Sequence, residues 1–332
     1  MAKRIEELEI DTSAYELRQV AKALKDLAAS CKLRNGFLRA QLAEVVSLLA
    51  ERGIPLCLIN GTVSLADEVP DGYLSCAARA VPSLDIVVQH DDGEGALEVI
   101  ADRGWPDASA IQQQLLDVDS PAPVNVHVWS PHSAALGFLS LEDFFDRGLR
   151  AAVSGREASV LTPQQAVQLR LVRNVIHRHR LVDFPLVELY EMANAIAARP
   201  DEIDWPGMRS IGLMNDVSRL FYAILLRLRG EFGAPVPEGT IPAEEHKAAV
   251  RILRLLDTLA AVPERLSGAA SRFALIAAMP GRLMDKLNRA ATVLFSEPLR
   301  GSARSSRPAR IALPAKMLGL HLAVCCWKLL RS

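Results

Sequence analysis

Three short polar clusters, each beside a predicted strand, hold the residues of this chain that are best suited to chemistry. They are Asn60, Gly61 and Thr62 after the first strand, Ser83 and Asp85 at the second, and Asn125 and His127 on the third. A glycine followed by a small residue lets the backbone approach a phosphate group closely. Side chains two positions apart on a strand point to the same face. The pattern favours a phosphate and metal site formed where the three strands meet.

Only one residue of these clusters, Asp85, is a carboxylate. The Ser83 hydroxyl is a poor Mg²⁺ ligand, and the neutral Asn125 amide offers one carbonyl oxygen and cannot act as a general base. We therefore expect any Mg²⁺ to depend on Asp85, and metal-dependent catalysis to be weak or lost. Nearby acidic residues that could add a carboxylate to such a metal site are Asp67, Glu68, Asp71, Asp117 and Asp119.

The elements that must position these clusters form a small α/β unit. Residues 55–59, 84–88 and 124–129 are short apolar or alternating runs typical of strands, and residues 94–103 fit an amphipathic helix. Residues 13–52 have two helical runs separated by the turn signal Asn35-Gly36.

From Ser140, an N-cap candidate, the helical period returns, so helix is predicted over 139–153 and through most of the chain up to residue 295. The expected fold class is α+β: a small mixed sheet with helices, then an all-helical domain, with more helix than strand. The predicted domains are 1–135, 136–296 and a basic segment, 297–332.

Composition excludes several classes of protein. Half of the 332 residues are hydrophobic and 23% are charged, as in globular proteins, and a net charge of −1 gives no reason to expect specific nucleic-acid binding. Five cysteines without CxxC spacing suggest neither a disulfide framework nor a zinc site. No apolar signal region and no apolar run of roughly 20 residues is found. We expect a cytoplasmic protein.

The ordered set of motifs resembles a bacterial family of uncharacterised nucleotidyltransferases, within the superfamily that includes DNA polymerase β. The resemblance rests on LINGT at 58–62, RAVPSLDIVV at 79–88 and VNVHVW at 124–129, and on the helical stretches that begin at Leu161 and at Ile203. It covers roughly residues 40–240. In that family an Ile-Asp-Trp and a Gly-x-Pro-x-Pro-like tail bracket the same helices. The resemblance implies Mg²⁺-dependent transfer of NMP from an NTP to a small molecule, peptide or protein.

The resemblance also assigns roles to individual residues, and this chain departs from the family at three of them. The positions of a lysine and two carboxylates are Asn60, Ser83 and Asn125 here. Nucleotide contacts are expected from Asn60, Gly61, Thr62, Arg79 and His127, and a metal contact from Asp85. Alternatives remain open: Asp85 and His127 can be polar residues on a solvent-facing strand, and Arg79 an ordinary loop arginine.

Two further basic regions carry their own alternatives. His177 and His179, with Arg173, Arg178 and Arg180, could receive phosphate groups or form a solvated helical face. The segment 311–331, which is basic and apolar, could lie at a membrane, bind a partner or pack on its own chain. Three functions stay open: an active nucleotidyltransferase, a degenerate accessory or scaffold protein in a peptide natural-product or surface-polysaccharide pathway, and a module recruited to a membrane or partner.

Overall fold

The structure is a computed structural model of the whole chain. It describes residues 15–75, 80–105, 121–131, 136, 138–177, 184–214 and 217–260.

A mixed sheet of five strands lies at the centre of the first half of the chain. Its strands are β1 (Leu56–Leu58), β2 (Leu84–Val88), β3 (Val124–Val128), β4 (Leu149–Val153) and β5 (Arg156–Val160). They lie in the order β3-β2-β1-β5-β4. β1 pairs with β2 and β4 with β5 in antiparallel fashion, whereas β2–β3 and β1–β5 are parallel. The predicted small mixed sheet is confirmed.

Helices account for most of the remaining described residues, as the α+β fold class predicts. They are α1 (Tyr15–Glu51), α2 (Gly93–Asp102), α3 (Leu141–Phe145), α4 (Pro163–Val172), α5 (Leu186–Ala198), α6 (Trp205–Met214), α7 (Ser218–Phe232) and α8 (Ala243–Ala260), with a π-helical turn over Arg173–His177. The predicted break at Asn35-Gly36 is wrong, since α1 runs through it. Asn35 is almost fully buried, and its side-chain oxygen accepts the Val81 N–H at 3.4 Å.

Strand β4 replaces the second half of the helix predicted over residues 139–153. Ser140 does cap α3, as expected, but that helix ends at Phe145. Ser154 and Gly155 both have positive φ, +49° and +77°, which is the backbone of a tight hairpin turn. Arg150 reaches across the hairpin to the Ser159 hydroxyl at 2.7 Å. Antiparallel pairing with β5 therefore overrides the helical periodicity of the sequence in β4.

The alternation of side chains along the strands produces two apolar layers. One sheet face packs Leu58, Ile86 and Val88 against α1 and α2. The opposite face buries Cys57 and Val87, among others, under α3 and the segment before it. Asp85 lies two positions before Val87 and thus on this second face.

The chain divides into two compact units. The first contains residues up to Leu169 together with Asn194–Glu202, and includes the whole sheet. The second contains Arg170–Ala193 and the residues from Ile203 onward. The predicted domain limits stay a prediction, and residues 297–332 lie outside the described residues.

Candidate functional site

The parallel register of β2 and β3 brings the polar residues of the two strands together. Asp85 lies opposite Asn125, and Val87 opposite His127. Ser83 lies two positions before Asp85, on the same face. The sequence pattern predicts that these polar residues share one site. In the structure Ser83, Asp85, Asn125 and His127 form one patch, the Asp85 patch, at the edge of the second apolar layer.

The Asp85 carboxylate is the acceptor at the centre of this patch. Its Oδ1 accepts the Asn125 Nδ2 amide at 3.0 Å and lies 3.1 Å from His127 Nε2. Its Oδ2 accepts the Ser83 hydroxyl at 3.3 Å. Because an ionised carboxylate only accepts, the proton in the histidine contact belongs to Nε2. The Asp85 side chain is 15% exposed and His127 32%, so the patch opens to solvent on the histidine side.

Thr62 fixes the backbone of the same patch. Its hydroxyl oxygen accepts the backbone N–H of Asp85 at 2.6 Å, and the Ile59 N–H donates to the Asp85 carbonyl at 3.2 Å. Thr62 is completely buried. These bonds join the end of β1 to β2 and fix the position of the Asp85 backbone.

Asn60 begins the turn that follows β1 and has an unusual backbone. Its φ of +54° is in the left-handed region, where asparagine is among the most tolerated residues after glycine. A 3₁₀ helix, Asn60–Leu65, starts there, and the Ser64 hydroxyl donates to the Gly61 carbonyl at 2.6 Å. The Asn60 Nδ2 atom is buried and has no hydrogen-bond partner among the described residues. An amide donor is therefore unsatisfied at this turn, which costs free energy unless a ligand or water accepts from it.

The strand ends, the glycine turn and the paired polar residues agree with one family of proteins. A family model described as uncharacterised nucleotidyltransferase matches residues 3–232. The chain belongs to this family. A search of curated proteins found no match, and a search of solved structures found none either.

The magnesium ions that the nucleotidyltransferase resemblance implies do not fit the donor set of this patch. Within the described ranges, no group of three or more His, Cys, Asp or Glu residues could hold a metal ion. Asp85 is the single carboxylate of the patch and is surrounded by N–H and O–H donors. A cation at Oδ1 would face the amide and imidazole hydrogens, which carry positive partial charge.

Of the five carboxylates expected to substitute for the missing ones, Asp67 is engaged elsewhere, Glu68 and Asp71 are exposed, and two lie outside the described residues. Asp67 accepts the Arg39 guanidinium at 3.0 Å and the Ser154 backbone N–H at 2.7 Å. Asp71 lies 3.9 Å from Arg199. Asp117 and Asp119 fall in the part of the chain that is not described.

Other predicted contact residues also lie outside the described part of the chain. This holds for Arg79, His179, Arg178 and Arg180, for the side chain of His177, and for residues 297–332. Arg173 is described: its side chain is 12% exposed and lies 3.8 Å from Glu188, so it is not a solvated position. Among the described helices, none combines the length and the apolar character needed to cross a membrane.

Cys57 lies on the sheet face that carries the patch, and it was not singled out by the sequence. It is fully buried, and burial raises the pKa of its thiol far above the ordinary value, with the Arg150 charge opposing this weakly. The thiol therefore stays protonated and is part of the core. It is not a nucleophile of this nucleotidyltransferase-family site.

Proposed function

We propose that this member of the nucleotidyltransferase family binds a nucleoside triphosphate at the Asp85 patch but transfers its nucleotidyl group slowly or not at all. One observation carries the proposal: a single Asp85 oxygen accepts from Asn125 and contacts His127. Three protein side chains therefore already contact the one carboxylate of the patch. This carboxylate has little capacity to hold a catalytic cation in place.

The electrostatics of the patch favour binding over transfer. A cluster of three carboxylates repels a triphosphate unless divalent cations stand between them. Here one negative charge remains, and the neighbouring amide, imidazole and hydroxyl donors offset it. A triphosphate can approach such a patch without a resident cation, while nothing aligns an attacking hydroxyl with the leaving pyrophosphate.

The turn after β1 supports the nucleotide part of the proposal. Asn60, next to Gly61, has a buried amide N–H group with no acceptor in the described part of the chain, and its side chain would turn outward to meet a ligand. Phosphate oxygens are strong acceptors, and backbone turns of this kind bind anions. A phosphate accepting from Asn60 Nδ2 would satisfy the donor that the fold leaves open.

The test measures binding and transfer separately. Titration calorimetry with ATP, GTP, CTP and UTP, with and without Mg²⁺, reports binding, and a pyrophosphate-release assay reports transfer. We expect binding of at least one triphosphate in the absence of Mg²⁺, with pyrophosphate release near the background rate. Asn60→Asp places a negative charge at the turn and is expected to weaken binding more than tenfold. The same change at Asn194, on α5, serves as the matched control and is expected to have no effect.

Two results would overturn the proposal. Rapid, Mg²⁺-dependent release of pyrophosphate would show an active transferase, in which a carboxylate such as Asp117 or Asp119 completes the metal site. Absence of binding for all four nucleotides would instead favour an accessory or scaffold role without a nucleotide.

A further inference from the structure

The second compact unit contains a cavity that is not part of the proposed triphosphate site. It has a volume of about 570 Å³, which is in the range of small-molecule sites. Its lining includes Trp205 and Pro206 at the start of α6, Arg209 one turn further, and Pro237 and Thr240 from the segment after α7.

Local structure explains why these residues meet. The Asp204 carboxylate accepts the Gly207 N–H at 3.0 Å and thereby caps the first turn of α6. Residues four apart on a helix share a face, which places Arg209 beside Trp205. Helix α7 ends at Gly233, whose φ of +66° turns the chain away, and a short 3₁₀ turn, Glu238–Thr240, closes the wall.

Two polar groups of the lining distinguish this cavity from an apolar crevice. Thr240 is 8% exposed, and its hydroxyl has no hydrogen-bond partner among the described residues. Burial raises the pKa of the Tyr222 hydroxyl, and the Arg209 guanidinium, which lies near this hydroxyl, lowers it by less. A guanidinium carries five N–H donors, so donors remain available for a ligand.

The apolar part of the lining consists of one aromatic side chain, Trp205, and two prolines. The Trp205 indole offers a ring face for stacking, and Pro206 and Pro237 add rigid apolar surface at little cost in conformational entropy. A cation beside a ring face suits a ligand that combines a planar ring with a negative charge.

We propose that this cavity, the α6 cavity, binds a small planar anion, with its ring on Trp205 and its anionic group at Arg209. The Thr240 hydroxyl would donate to or accept from the same ligand. A nucleoside monophosphate and an aromatic carboxylate share this chemistry. The site lies in a unit that does not contain the Asp85 patch, and it is independent of triphosphate binding there.

The experiment uses the full chain and ligand-observed NMR with four probes: AMP, adenosine, 4-hydroxybenzoate and 4-hydroxybenzamide. At least one anionic probe is expected to bind, and about tenfold more tightly than its neutral counterpart. Arg209→Gln should remove this difference, which is the loss expected for one charge-assisted hydrogen bond. Trp205→Phe should weaken both members of the bound pair. Arg251→Gln, an exposed arginine of α8 outside the lining, is the matched control.

Thermal unfolding of each variant verifies that it folds. Binding of AMP but not of 4-hydroxybenzoate would identify the ligand as a nucleoside monophosphate, and the reverse result would identify it as an aromatic carboxylate. The proposal is overturned if no anionic probe binds at millimolar concentration, or if binding is the same in Arg209→Gln. Binding of an oligoproline peptide with no anionic probe bound would also overturn it.

Discussion

The Asn125 amide donates to Asp85 Oδ1 over 3.0 Å, across the parallel pair β2 and β3. In a metal site this position would hold a second carboxylate, and the two oxygens would share a cation. Here an N–H group occupies the place of the cation. Among the described residues, hydrogen bonds and not a shared metal ion therefore hold the side chains of the Asp85 patch together.

Restoring carboxylates should create a metal site. In the double variant Ser83→Asp, Asn125→Asp, three carboxylates would converge, because the present side chains lie 3.3 and 3.0 Å from Asp85. We expect the variant to bind Mn²⁺ in an electron paramagnetic resonance titration, whereas the unchanged protein does not. Its melting temperature should fall without metal, since the charges repel, and recover with Mg²⁺ or Mn²⁺.

The control for this variant is the same double change in an Asp85→Asn background, which removes the shared carboxylate. The convergence of positions 83, 85 and 125 would be contradicted if the folded double variant did not bind Mn²⁺. It would also be contradicted if the Asp85→Asn control bound Mn²⁺ equally well.

Asp85 should also contribute to stability. Asp85→Ala leaves the Asn125 amide and the His127 imidazole without their acceptor in a half-buried patch, and we expect a loss of about 1–3 kcal/mol in the free energy of unfolding. Asp91→Ala, an exposed aspartate in the turn after β2, should leave stability unchanged. Urea unfolding measures both, and equal losses would argue against the hydrogen-bonded patch.

The second unit contains a buried ion pair whose rupture should be costly. Arg170 and Glu191 lie 3.1 Å apart, and each side chain is 4% exposed. Glu191→Gln removes the carboxylate charge that lies 3.1 Å from the buried Arg170 guanidinium, so we expect a loss of about 3–5 kcal/mol. The exposed pair Arg147–Glu142 is the comparison: Glu142→Gln should cost less than about 1 kcal/mol. Chemical denaturation distinguishes the two, and similar costs would refute the role assigned to burial.

Cys57 should make stability depend on alkaline pH. Burial raises its pKa in the folded protein, so above the ordinary thiol pKa of about 8.5 only the unfolded chain releases this proton. The stabilisation is complete below that pH and declines as pH rises, by about 1.4 kcal/mol per pH unit. Cys57→Ala should reduce this slope. Unfolding midpoints between pH 8 and 10 test this, and identical slopes would count against it.

Much of the fold was predictable because the relevant residues signal it locally. The runs at 84–88 and 124–128 are β-branched or alternating, and the structure has strands there. The order of the motifs predicted that Asp85 and Asn125 belong to one site, and the strand register places them opposite each other. The exception was the hairpin at 149–160, where a helical period concealed two strands. Its Ser154-Gly155 turn was a signal that the sequence did contain.

What the sequence could not supply were the consequences of tertiary contacts. Asn35-Gly36 is a sound turn signal, but the buried bond from Val81 to Asn35 keeps α1 continuous. The engagement of Asp67 by Arg39 and Ser154 depends on three segments far apart in the chain. The unpaired Thr240 hydroxyl and the α6 cavity likewise exist only after the second unit has packed.

The most direct test of the account is a titration of the protein and of Asp85→Asn with the same nucleoside triphosphate, with and without Mg²⁺. Removing the last negative charge of the patch should retain or tighten triphosphate binding, and Mg²⁺ should make little difference to either protein. A metal-dependent site would behave in the opposite way. Binding that requires Mg²⁺ and disappears in Asp85→Asn would contradict the central claim that this patch works without a resident metal ion.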